Sequence, residues 1–115
     1  MDEQDKPALT AIHAFFAATN LFDVPAALAV FTNDAVIDDP STGHIFTGLL
    51  GVQDYLERYF VAYQTVTRML ECELFEAGRA HIRVDFTGDF GHEIGVMDIS
   101  LNAEGLITHI HAYLE

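Results

Sequence analysis

Apolar side chains recur at helical spacing in the first half of the chain and at alternating spacing in the second. Leu9, Ile12, Phe15, Phe16 and Thr19 form one stripe of a helix over 8–22. Asp23 reads as an N-cap and Pro25 as the first-turn proline of a second, short helix to about Phe31, with Ala27, Leu28 and Phe31 on one face. An acidic turn at Asn33-Asp34 then releases an apolar strand, Ala35-Val36-Ile37, which runs into Asp38 and Asp39 and stops at Pro40. Gly43 turns the chain, His44 to Phe46 form a small strand, and Gly48 ends it. Residues 49–63 read as a third helix. Val52, Leu56, Tyr59, Phe60 and Tyr63 share its face, while Asp54, Glu57 and Arg58 lie off it.

The rest alternates. "TVTRMLECELFEAG" ends in Ala77-Gly78, and "RAHIRVDFTGDFG" sets Ile82, Val84 and Phe86 against His81, Arg83 and Asp85. "HEIGVMDISLNAEG" and "LITHIHAYLE" supply two more strands, joined by a turn from Asn102 to Gly105. Helices first and a long meander afterwards predict one α+β domain over 1–115. Its three N-terminal helices would pack on one face of a strongly curved, mostly antiparallel sheet. A sheet wrapped round a helix makes a cone, whose open end is a natural pocket.

Composition narrows the functions. Half the residues are apolar, and nine Phe and four Tyr are spread along the chain, which excludes disorder. Net charge is −13 with only five Lys and Arg, so nucleic acid and anionic membranes would find few cations to contact. A neutral, largely apolar small molecule is the ligand easiest to accommodate. Residues 1–7 are polar, end in Lys6-Pro7 and read as a loose leader without a signal pattern. A single cysteine, Cys72, cannot make an internal disulfide, which fits a reducing cytoplasm. Its neighbours Glu71 and Glu73 disfavour a thiolate, so it reads as inert.

Two acids carry the candidate chemistry. Pro40 biases Asp39 to an extended conformation and ends the strand, having no N–H to donate. With period two, Asp39 shares a face with Ile37 and Ala35, while Asp38 goes with Val36. If the Ile37 side faces the cone, Asp39 does too, and burial raises a carboxylate's proton affinity, as a general base requires. The bland alternative is that Asp-Asp-Pro begins a solvated turn. Asp98 interrupts the apolar "IGVMDISL", where a carboxylate is costly unless paired, protonated or at the surface. It shares one face with Val96 and Ser100; Met97, Ile99 and Leu101 form the other.

Phe15, Phe16, Phe31, Leu56, Tyr59, Phe60, Val84 and Phe86 would wall the pocket or fill the core. Tyr55 and Tyr63 read as surface tyrosines. His109 and His111 share a strand face and, with His81 or Asp85, could form metal ligands. By alternation with Ile110 and Ala112 they leave the cone, so no metal is expected. His13, His44 and His92 read as exposed. Phosphate-loop, nucleophile-elbow and zinc spacings are missing, and "GDFG" at 88–91 matches a kinase motif by letters only.

The order of elements resembles the nuclear transport factor two-like superfamily, the cone fold of SnoaL-like polyketide cyclases, scytalone dehydratase and ketosteroid isomerase. The likeness covers nearly all of 8–115. "FFAATNLFDVPAALAVFTNDAVIDDP" is similar to the opening of the ketosteroid isomerase-like group, "TGLLGVQDYL" to its third helix and "GLITHIHAYLE" to its last strand. The resemblance implies a general-base aspartate at Asp39 and, at Asp98, a protonated acid that steadies an enolate oxygen in the same hollow. The oxyanion tyrosine of that group falls on Phe15, which cannot donate; Tyr55, Tyr59 or Tyr63 would have to replace it.

Two functions follow as expectations. One is a cofactor-free isomerase, cyclase or dehydratase that abstracts a proton next to a carbonyl of a steroid- or polyketide-like molecule. The other is a binding module of the same fold without chemistry. A homodimer through the sheet face is also expected, with Met97, Ile99, Leu101 and Tyr113 covering an apolar surface that the helices leave open.

Overall fold

A computed structural model describes residues 6–76 and 78–115. The elements are α1 (Lys6–Asn20), α2 (Val24–Leu28), β1 (Phe31–Asp39), a 3-10 turn (Pro40–Thr42), β2 (His44–Thr47), α3 (Gly48–Leu56) with a π-helical continuation (Glu57–Val61), β3 (Val66–Phe75), β4 (Arg79–Gly88), β5 (Gly91–Leu101) and β6 (Ile107–Leu114). The strands form one six-stranded sheet in the order β2-β1-β6-β5-β4-β3. β1 and β6 run parallel, and the other neighbours antiparallel. This is the α+β arrangement expected, with helices early and the meander β3 to β6 late.

The core lies between the helices and one face of the sheet. Ile12, Phe15, Val52 and Leu56 from the helices are buried with Ile37, Ile82, Met97, Ile99 and Ile110 from the strands. Each such side chain contributes about 1.5–3 kcal/mol by leaving water. Met97, Ile99 and Leu101 are therefore core residues, not the open apolar face expected of them. They look inward because their strand pairs on both sides, so its apolar row must meet the helices.

Several boundaries differ from the sequence pattern. Residues 1–5 of the expected leader lie outside the described residues, and Lys6-Pro7 already belong to α1. The helix α2 is capped as expected, Asp23 Oδ1 accepting from the Ala26 N–H at 3.2 Å, but it ends at Leu28. Phe31 starts β1, and Asn33-Asp34 lie within that strand, where its pairing with β6 shifts register. The third helix loses α geometry at Glu57, with the Ala62 N–H donating to the Glu57 carbonyl at 3.0 Å. Such a π turn rotates later residues off the stripe. Tyr63 consequently leaves the buried face and is exposed.

One polar clamp ties helix to sheet. The Asn20 side-chain amide donates to the Thr67 carbonyl at 2.9 Å and accepts from the Thr67 N–H at 2.7 Å. It acts as a neighbouring peptide would, satisfying edge strand β3 where no further strand follows.

Candidate functional site

Burial along β1 alternates: Ala35, Ile37 and Asp39 are buried, while Val36 and Asp38 are half-buried on the opposite side. Asp39 is only 8% exposed. Its Oδ1 accepts from the Ser41 N–H at 3.0 Å and from the Ser41 hydroxyl at 2.6 Å, capping the turn that Pro40 starts. Its Oδ2 accepts from the Tyr55 hydroxyl at 2.7 Å. The turn and the inward orientation, which the sequence offers as alternatives, thus coexist in one carboxylate. Of its roughly four acceptor positions three are filled, leaving one on Oδ2.

Tyr55 is itself buried, 4% exposed. Burial, and then the charge and hydrogen bond of Asp39, hold its hydroxyl well above a tyrosine's ordinary range, so it stays a donor. The surface position expected for Tyr55 is corrected here. It lies three residues after Val52, one of the two helical spacings that share a face, and that spacing was the signal available.

Beside this pair is a cavity of about 280 Å³. Asp39, Ser41, Tyr55, Tyr59, Phe60 and Thr65 line one side; Phe86, Glu93, Ala112 and Leu114 come from the sheet; Tyr63 and Phe90 add two exposed rings. Aromatic contacts organise its walls: Tyr55 meets Tyr59 at 5.3 Å and Phe46 at 5.1 Å between ring centroids, and Phe60 meets Phe86 at 6.3 Å. Of the eight wall residues expected, Tyr59, Phe60 and Phe86 line the cavity. Phe15, Phe16, Phe31, Leu56 and Val84 do not; they fill the core. Phe15 is fully buried against Phe16 and Phe31, with ring centroids 5.3 and 5.5 Å away. Sequence reasoning missed several lining residues, among them Ser41, Tyr55, Thr65 and the second acid, Glu93. Glu93 alternates in step with Gly95 and Met97, the row expected on the open sheet face, which is why it was missed.

Asp98 does not join Asp39. It stands on the sheet face opposite the helices, where its Oδ1 lies 2.5 Å from Nδ1 of His81, both side chains about two-fifths exposed. Its strand neighbours Met97 and Ile99 occupy the inward positions, and period two then sends Asp98 out. The register continues the pattern across five strands: Asp38 is level with His111, His111 with Asp98, Asp98 with His81, and His81 with Glu73. Asp38 Oδ2 is 3.4 Å from Nδ1 of His111. It is Asp38, not Asp39, that shares a row with Asp98. Among the described residues no group of three or more His, Cys, Asp or Glu side chains is arranged to hold a metal ion.

The family model described as the SnoaL-like domain matches residues 12–110. The chain belongs to the SnoaL-like domain family. This family lies within the nuclear transport factor two-like superfamily, as the element order implied. No curated protein matches this SnoaL-like chain. Its fold recurs in solved structures. One is a Mycobacterium tuberculosis protein in complex with estradiol-17beta-hemisuccinate, 21% identical, covering 95% of this chain and 94% of that one, with a TM-score of 0.82. Another is SalBIII, an epoxide hydrolase/cyclase-like enzyme of pyran ring formation in the polyether salinomycin; it is 18% identical, covers 100% and 95%, and has a TM-score of 0.85. A third is a computationally designed 17-OHP binder, 20% identical, covering 95% and 91%, with a TM-score of 0.83. At these identities the likeness is one of fold.

Proposed function

We propose that this SnoaL-like domain is a cofactor-free enzyme of the isomerase or cyclase type that binds a small apolar carbonyl compound in the Asp39 cavity. The reading takes the sheet as a cone with this cavity at its open end. One observation carries it: a buried carboxylate borders an aromatic cavity with one acceptor position still free on Oδ2. That oxygen takes the proton from the carbon next to the carbonyl. The C–H electron pair moves into the new C=C bond, and the carbonyl pair onto oxygen. Returning the proton to a different carbon completes an isomerisation with no net loss of atoms or electrons. Tyr55 is engaged with Asp39, so it positions the base instead of the substrate. Tyr59, half-buried on the cavity wall, is the phenol proposed to donate to the developing oxyanion in place of the absent tyrosine at Phe15. Asp98 has no part in this step. The estradiol-17beta-hemisuccinate and 17-OHP ligands of two structural relatives support a small-molecule ligand.

The test is deuterium exchange next to the carbonyl of a 3-ketosteroid, together with binding of a phenol that mimics its enolate. Wild type is expected to exchange the α-proton and Asp39→Asn is not. Equal phenol binding by both proteins, with exchange by neither, would leave the second reading, a ligand-binding module without chemistry. The three donors already on Asp39 favour that alternative, because they leave a single acceptor position for a substrate proton.

A homodimer through the outer sheet face is proposed with a different surface from the one expected. It would use the row of acids and histidines and Tyr113, and sedimentation at micromolar concentration would test it. The unpaired Cys72 supports a cytoplasmic setting. No helix among the described residues is long and apolar enough to cross a membrane.

A further inference from the structure

The cavity has a second carboxylate at some distance from the first. Glu93 lies opposite Phe86 in the β4–β5 pairing, and both line the cavity. Its neighbour His92 points to the other face and meets Asp85 at 2.7 Å, so it does not neutralise Glu93. Among the described residues Glu93 takes part in no salt bridge. No Lys, Arg or His contributes to the lining, and the chain as a whole carries −13. A cleft walled by one sign of charge repels ligands of that sign and concentrates the opposite one.

The register gives the span. Asp39 follows Asp38, the partner of His111, and is therefore level with Ala112, which pairs with Met97. Glu93 lies four residues from Met97 along β5. Two strand spacings and four residues of rise separate the two Cα atoms by about 16 Å. That is the reach of a multi-ring molecule, not of a single ring. Its walls between these ends are aromatic and aliphatic, with Phe60, Phe86, Ala112 and Leu114 supplying no charge.

We infer that the cavity is built for an elongated apolar ligand bearing a hydroxyl or a cationic amine at the end remote from Asp39, where Glu93 receives it, and that it rejects ligands with an anionic tail. This rests on the reading above that the cavity is the ligand site. Glu93 thereby sets specificity and takes no part in the proton transfer.

Four 3-ketosteroids that differ only at C17 test it, carrying hydrogen, hydroxyl, primary amine or hemisuccinate there. Equilibrium dialysis on the full chain should rank the amine first and the hemisuccinate last. The gap should be about tenfold at low ionic strength, shrinking several-fold in half-molar salt, as expected of a solvent-exposed charge. Glu93→Gln should close the amine–hemisuccinate gap. Glu104→Gln, which removes one acid in the Asn102–Gly105 turn, should keep the gap and so controls for net charge. Binding of all four compounds with equal affinity, or a gap that survives in Glu93→Gln, would overturn the inference and leave the cavity as the ligand site. Failure of every compound, the C17-hydrogen parent included, would overturn both. Glu93 is exposed, so its variant should fold; matching circular dichroism and unfolding midpoints verify this.

Discussion

Tyr55 on α3 donates its hydroxyl to Asp39 at the end of β1 across 2.7 Å, and both groups are buried. The bond joins the helical layer to the sheet at the cavity wall. It also engages Tyr55 with the carboxylate.

Removing that donor should cost stability. A hydrogen bond to a charged group contributes about 1.5–3 kcal/mol. Tyr55→Phe is expected to lower the unfolding free energy by an amount in that range, measured by urea denaturation at pH 7. Ser41 still satisfies Oδ1, so the variant should fold.

The same bond predicts behaviour in alkali. Tyr55 holds its proton more tightly in the folded chain than an ordinary tyrosine, whose value is 10.0. Below pH 10 it is protonated in both states and its contribution is complete. Above pH 10 the unfolded chain loses this proton first, so unfolding releases a proton and stability falls as pH rises. Urea midpoints between pH 8 and pH 11 should drop for wild type and drop less steeply for Tyr55→Phe. Parallel curves would contradict the assignment.

The two acids should separate in function. Asp39→Asn is expected to abolish α-proton exchange, while Asp98→Asn should leave exchange and ligand binding within about twofold of wild type, because it lies on the opposite face. A large loss of binding in Asp98→Asn would show that the outer face communicates with the cavity.

Phe15 tests whether a lost tyrosine can be restored. Phe15→Tyr places a hydroxyl among Phe16 and Phe31 in a fully buried position, at a cost of about 1–3 kcal/mol. It should unfold earlier in urea and gain no exchange activity. An increase in exchange would mean that the new hydroxyl reaches the ligand.

Asn20→Ala opens the clamp on edge strand β3. Two hydrogen bonds at about 0.5–1.5 kcal/mol each are lost, and the Thr67 backbone is left to water. Hydrogen exchange should accelerate first at Thr67, before the centre of the sheet.

Period alone identified much of this protein. Alternation in "RAHIRVDF" and in "GVMDISL" set the strands, and the stripe from Leu9 to Thr19 set the first helix. Asp23 with Pro25 announced a capped helix, and Pro40 ended β1 where expected. These features are local: they depend on backbone geometry and on which neighbours are apolar. That Asp39 shares a face with Ala35 and Ile37 was legible for the same reason; that this face points inward was not.

The partnership of residues was a matter for the tertiary structure. Alternation states that Asp98 opposes Met97 and Ile99, but not which row the helices cover; packing gave the core to the larger apolar row and sent Asp98 out to His81. Tyr55 looked like a surface residue until α3 was laid across the end of β1, whereas Tyr63, though on the helical stripe by spacing, is at the surface as expected, turned outward by the π turn at Glu57. Local pattern fixes which side chains share a face. Which face becomes the inside depends on contacts between segments far apart in the chain, and only the assembled layers supply those.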